Sequence, residues 1–181
     1  MTRPGEAERA GAWRETSFAG ATGLAEALLA QMEAGEIAED EAEEEIAALC
    51  SAIASARGFF VALLTGPFSL AEKPPPSLLR ALKRRRDVVC DLLTRNLVMS
   101  SAMAVHHRRR GDQGGLEGSL RVAGRTRALI GALPVREMRR QLRSILSSIA
   151  AGDGEYTGFL ARWRYDGEQL AAAREAVEAL L

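Results

Sequence analysis

Residues 87–107, DVVCDLLTRNLVMSSAMAVHH, decide the fold. Consecutive residues on a helix point about 100° apart. At that spacing Val88, Val89, Leu92, Leu93, Leu97, Val98, Met99, Met103 and Val105 leave no polar side. A helix that is apolar all round belongs inside a bundle of other helices. Asp87 is placed to cap it. Its charged exceptions, Asp91 and Arg95, stand four apart and can pair along the helix. That pair is either a structural tie or part of the wall of a functional cleft.

Working outward, the flanking segments read as helices that cover this one. The composition agrees: Ala and Leu dominate, and aromatic residues make up only 5%. Upstream, 77–86 predicts a short basic helix with Leu78, Leu79 and Leu82 inward. Before it, FSLAEKPPPS (68–77) is a stiff connector, because consecutive prolines hold the chain extended. A long helix is expected over 36–65, opening with the acidic run EIAEDEAEEE (36–45) and ending at Gly66 and Pro67. Its predicted inner face is Ile46, Cys50, Ile53 and Phe60, with Leu49, Val61 and Leu64 beside it. A first helix over 16–34, capped by Thr16 or Ser17, places Leu24, Leu28 and Met32 on one face and stops at Gly35.

Downstream, GDQGGLEG (111–118) reads as a breaker. Helices over 117–133 and 134–151 form an expected αα-hairpin. The first has Leu120, Ala123, Ile130 and Leu133 as its buried side. The second begins at Pro134 and carries a stripe of Val135, Met138, Leu142, Ile145 and Ile149. After a Gly152-Asp153-Gly154 break comes a short aromatic segment, 156–165. Asp166 and Gln169 then match a capping box for the last helix. The reading is an all-α, single-domain bundle of six to seven helices over 16–181, with the apolar helix at its centre. Residues 1–15 read as a mobile tail. A chain of 181 residues needs no staples to hold such a core.

Cys50 and Cys90 form no CxxC pattern and read as reduced, buried thiols of a cytoplasmic protein. The N-terminus has no apolar stretch of the secretory kind. Residues 46–64 come nearest to a membrane span, but Arg57, two serines and many alanines argue against it. No membrane contact is expected.

The charge is segregated. Residues 1–79 hold 5 basic and 13 acidic side chains, 80–143 hold 16 and 5, and 144–181 hold 3 and 6, although the net charge is zero. His106 and His107 are adjacent, so their rings diverge and do not share a metal; no other ligand spacing occurs. They and the three arginines that follow suit a helix C-terminus. No nucleophile elbow, phosphate loop or dinucleotide fingerprint is present, so neither catalysis nor a cofactor is expected. Backbone amides of 111–118 beside the arginines leave room for a phosphate.

The charge pattern instead points to a soluble, non-catalytic interaction, assembly or regulatory protein. Its arginine-rich helical surface, Arg108, Arg109, Arg121, Arg125, Arg136, Arg140 and Arg143, is expected to meet an acidic protein or a second copy of the chain, giving a homo-oligomer. The acidic run is either a solvated face or the dock for those arginines. Trp163 and Tyr165 are a possible secondary contact, with core packing as the other reading. The rival function is nucleic-acid binding through phosphate contacts. The basic third lacks aromatic platforms for single strands, and no helix-turn-helix pattern is visible.

Overall fold

The computed structural model describes residues 18–181, so the expected tail (1–15) and the Thr16 or Ser17 cap lie outside the described residues. The chain divides into two compact units, one ending at Val89 and one spanning Cys90–Leu181. Every regular element among the described residues is a helix, as expected of an all-α chain.

In the first unit, α1 (Phe18–Ala34) packs along α3 (Ile53–Thr65). The buried face of α1 is Ala21, Ala25, Leu28 and Leu29, whereas Leu24 is 42% exposed. The helix is rotated from the leucine stripe because small residues decide the contact. A Cβ built on Gly58 of α3 would lie 2.8 Å from the Phe18 carbonyl oxygen and 2.9 Å from the Thr22 nitrogen. Only glycine admits an approach of backbone to backbone that is this close.

The expected single helix over 36–65 is two, α2 (Glu39–Leu49) and α3. Ala52, extended at φ −129° and ψ 150°, breaks it. The break resets the helical phase. Ile46, Leu49, Cys50, Phe59, Phe60 and Leu64 are buried, whereas Ile53 and Val61, expected inside, are exposed. Arg85 Nη2 donates to the Ser51 carbonyl (2.9 Å) that the break leaves open. The connector after α3 is tied down where Ser69 donates from its backbone nitrogen (3.2 Å) and hydroxyl (2.7 Å) to Glu33. Pro76 opens α4 (Pro76–Arg84), which packs on α2.

The apolar helix α5 (Arg86–Arg110) begins in the first unit and continues into the second. It starts one residue before Asp87, which therefore lies in its first turn and does not cap it. No residue from Val88 to His107 is exposed, as expected of a helix that is apolar all round. Among the described residues this is the helix long and apolar enough to cross a membrane, and 61% of that stretch is buried inside the protein. The stretch named from the sequence, 46–64, is divided by the Ala52 break.

In the second unit the expected breaker over 111–118 shrinks to two residues. Gly111 (φ 66°) ends α5 in a Schellman turn, with Asp112 N donating to the His107 carbonyl (3.0 Å). Asp112 then caps α6 (Gln113–Ala132) by accepting from Gly115 N (2.9 Å), so three glycines are carried into the helix. Leu120, expected inside, is 50% exposed. Residues 133–135 connect α6 to α7 (Arg136–Ala151); Pro134 precedes this helix, because Val135 is extended and serves as its N-cap. Met138, Leu142 and Ile145 of the predicted stripe are buried. A short α8 (Thr157–Trp163) occupies the aromatic segment and packs on α7. The predicted capping box of Asp166 and Gln169 opens α9 (Gly167–Glu178), which also packs on α7. Nine helices thus stand among the described residues in place of six to seven. The Ala52 break and the aromatic α8 account for the difference.

Candidate anion-binding surface

The acidic run is answered in part within the first unit. Arg80 of α4 donates to Glu43 (2.5 Å) and Glu39 (3.3 Å), and Arg84 to Glu44 (2.5 Å) and Glu43 (3.4 Å). The Arg80 hydrogen bond holds the Glu43 carboxyl below its usual range, and the Glu43 and Glu44 bonds raise Arg80 and Arg84 in turn. Glu36, Asp40 and Glu41 are exposed and make no ion pair among the described residues.

The second unit divides the arginines named from the sequence into three groups. Arg125 is only 7% exposed and so is not part of an outer row. It belongs to the inner side of α6 with Ala123, Thr126, Leu129 and Ile130. Arg109 is exposed but engaged: its guanidinium pairs with both Asp166 and Glu168, tying the end of α5 to the start of α9. Arg108, Arg121, Arg136 and Arg143 are exposed with no ion pair among the described residues, as are Arg110, Arg127 and Arg139. Arg140 reaches Glu155 only at 3.9 Å. On α7 the outer arginines Arg136, Arg139, Arg140 and Arg143 lie opposite Met138, Leu142 and Ile145.

Asp166 carries two duties, since it also accepts from Gln169 N (3.0 Å) and Glu168 N (3.1 Å). The Arg109 hydrogen bond, then that of the Gln169 amide, lowers its carboxyl to about 2. A carboxylate whose folded value is depressed stabilises the fold above its ordinary value, roughly 4. That contribution is lost as pH falls from there toward 2. Asp166→Asn keeps the cap acceptor and loses the charge. Its melting temperature is therefore expected to fall less than the parent's between pH 5 and pH 2 in an acid titration followed by circular dichroism. Asp112 behaves alike: the Gly115 amide and then His107 lower its carboxyl, with His107 Nδ1 2.7 Å away.

A second constellation sits around the predicted Asp91–Arg95 pair, which forms: Arg95 Nε donates to the carboxylate at 2.8 and 2.9 Å. The Arg95 guanidinium lies against two rings, 5.0 Å from the Tyr156 centroid and 4.9 Å from that of Phe159. Tyr156 is fully buried, donates to Gln141 Oε1 (2.6 Å), and its backbone nitrogen donates to Ser148 Oγ (3.2 Å). Burial and then the Asp91 charge push its hydroxyl above the ordinary tyrosine range. Here the pair anchors the 155–159 segment to α5 and α7.

Trp163 is 45% exposed and stacks in parallel on Tyr165, with centroids 6.4 Å apart and ring planes 8° apart. Core packing therefore describes the tip of Tyr165, whose hydroxyl is buried without a partner, but not Trp163. Burial raises that hydroxyl to about 12. Exposed Arg162 and Arg164 flank Trp163. Sequence reasoning did not single them out, although the alternation R-W-R-Y was visible.

Cys50 and Cys90 are both buried and free, and burial pushes the Cys50 thiol to about 12. Among the described residues no group of three histidine, cysteine or acidic side chains is placed to hold a metal. A family model described as "Uncharacterised conserved protein UCP020893" matches residues 17–180. No curated protein and no solved structure matches the chain.

Proposed function

Because the chain belongs to the UCP020893 family, we propose a function for it from its own surface: a non-catalytic interaction protein whose arginine-bearing helices α6 and α7 hold an acidic protein face. The observation that carries this reading is the contrast between the two units. The arginines of α4 are satisfied by the acidic run, whereas Arg121, Arg136, Arg139 and Arg143 point outward with no ion pair among the described residues. Leu120, next to Arg121 on α6, is half-exposed and offers an apolar contact there.

A second copy is the acidic partner to which we assign this surface. The first unit, 1–89, holds 10 basic and 14 acidic side chains, and the second, 90–181, holds 14 and 10. Opposite fields on one chain favour association of one copy's acidic unit with another's basic unit. Glu36, Asp40 and Glu41 are the carboxylates left for it. A contact of this kind is heterologous, so it builds rings or filaments.

Light scattering at low and high salt tests the reading, with the 260/280 nm ratio read in parallel. For a nuclease-treated preparation the expected result is a mass above 19.5 kDa at low salt that falls at high salt. Reversing Arg136, Arg139 and Arg143 to Glu should leave the helicity intact and give a monomer at both salts. A monomer from the parent chain at low salt sinks the proposal. Salt-sensitive nucleic-acid binding that is lost on reversal of Arg136, Arg139 and Arg143 favours the phosphate-contact reading instead.

A further inference from the structure

Independently of that surface, we propose that the corner formed by the end of α5, α8 and the start of α9 is a binding site for single-stranded nucleic acid, with Trp163 as the platform on which a base stacks. The ring chemistry comes first. Trp163 is 45% exposed, and Tyr165 lies against it at an 8° interplanar angle with its hydroxyl tip buried. Tyr165 thus lies parallel to the indole and offset from it, its hydroxyl buried, while nearly half of the Trp163 surface stays open. A platform held in place beforehand binds without a large ordering cost. Stacking on an aromatic face suits any base, because every base presents a π-face.

The charge around the rings fits a phosphate chain. Arg162 and Arg164 are exposed on either side of Trp163, and no ion pair engages them among the described residues. Two carboxylates at the corner, Asp166 and Glu168, are both paired with Arg109, which offsets one of their two charges. The two ion pairs also tie the end of α5, where Arg108 and Arg110 are exposed, to the start of α9. Two exposed guanidiniums, those of Arg162 and Arg164, therefore flank one exposed indole. An acidic peptide would use the arginines but has no need of the ring.

The backbone supplies a second, independent observation. Arg164 has φ 49° and ψ 44°, and it is the single residue other than glycine with positive φ among the described residues. Glycine takes that conformation at no steric cost, so an arginine there sets stability against the placement of a charge. The turn is what carries the chain from Trp163 back to Tyr165 and lets the two rings stack.

The test uses the full chain with Trp13→Phe, which leaves Trp163 as its one tryptophan. Titration with a short oligodeoxythymidylate is expected to quench the indole fluorescence, with an affinity that falls steeply as salt rises. Trp163→Ala, read by anisotropy of a labelled oligonucleotide, should weaken binding by about tenfold or more, and Trp163→Phe by less. Arg164→Gly should raise the melting temperature and weaken binding together. A duplex of equal length should bind more weakly, since its bases already stack on one another. Oligonucleotide affinity unchanged by Trp163→Ala overturns the proposal. So does polyglutamate that quenches the indole and competes on equal terms, because the corner then docks acidic protein. Reversal of Arg136, Arg139 and Arg143 should leave the quench in place, which separates failure of this site from failure of the α6–α7 surface.

Discussion

Gly58→Ala is expected to destabilise the chain by about 3 kcal/mol, the upper part of the range for forcing extra volume into a packed interface. The alanine Cβ would meet the Phe18 carbonyl oxygen at 2.8 Å and the Thr22 nitrogen at 2.9 Å. Both are backbone atoms of α1, so neither can turn aside as the end of a flexible side chain would. Relief requires α1 to shift off α3, and the shift opens the contact of Ala21 and Ala25 that the two helices share. A urea or thermal melt followed at 222 nm reads the effect, which should lower the midpoint by about 10 °C. Gly124→Ala is the control. Gly124 lies on the exposed side of α6 with nothing within 4 Å of its added Cβ. There the substitution should stabilise by about 0.5–1 kcal/mol through helix propensity alone. Gly58→Ala and Gly124→Ala moving in the same direction would contradict the close approach of α1 and α3.

The same interface shows where reading the sequence succeeds and where it stops. Apolar periodicity placed α5 correctly, because Leu92, Leu93, Leu97 and Val98 are large and their burial follows from composition. The same criterion misplaced the inner face of α1. It favoured Leu24, whereas the actual contact is made by alanines and by a glycine 37 residues away from Ala21. Close backbone approach leaves no hydrophobic signal. Ala52 carries no breaker chemistry either, so the division of α2 from α3 follows from tertiary packing and not from local propensity. Asp112 shows the converse. A run holding four glycines reads as a loop until one carboxylate is seen to cap a helix through it.

For the candidate site, the sequence identified charge type but not charge availability. Arg109 and Arg125 look like their neighbours in the chain. One is taken by Asp166 and Glu168, and the other is turned inward. Ion pairs between residues 57 to 59 positions apart have no local signature. The capping box at Asp166 was predictable because its partners are two and three residues away. Trp163 and Tyr165 are two apart on a left-handed turn at Arg164, a geometry that helical spacing does not anticipate.

Tyr156→Ala is expected to cost about 4 kcal/mol, as for removal of a buried aromatic ring. Tyr156 is fully buried, and three separate interactions converge on it: Gln141 at its hydroxyl, Arg95 at its face and Ser148 at its backbone nitrogen. Tyr156→Phe isolates the first of these. The ring and its cation contact survive, but Gln141 Oε1, on a residue 5% exposed, loses its donor. Leaving a buried acceptor unpaired costs about 1–3 kcal/mol. Arg95→Met isolates the second, since it keeps the bulk of the side chain and removes the cation that faces the Tyr156 and Phe159 rings. The double variant tells the contacts apart. If Arg95 acts on the ring, its loss should be smaller in a Tyr156→Ala background than in the parent, by about 1 kcal/mol for a half-buried cation–π pair. Equal losses in both backgrounds would show that Arg95 does not act through the Tyr156 ring, leaving Asp91 and Phe159 as its partners. The consequence reaches the corner at Trp163, because Tyr156 is the N-cap of α8 and Trp163 is its last residue. Loosening Tyr156 frees one end of the helix that presents the indole. Tyr156→Phe should therefore leave the oligonucleotide quench intact, whereas Tyr156→Ala should weaken it along with the fold.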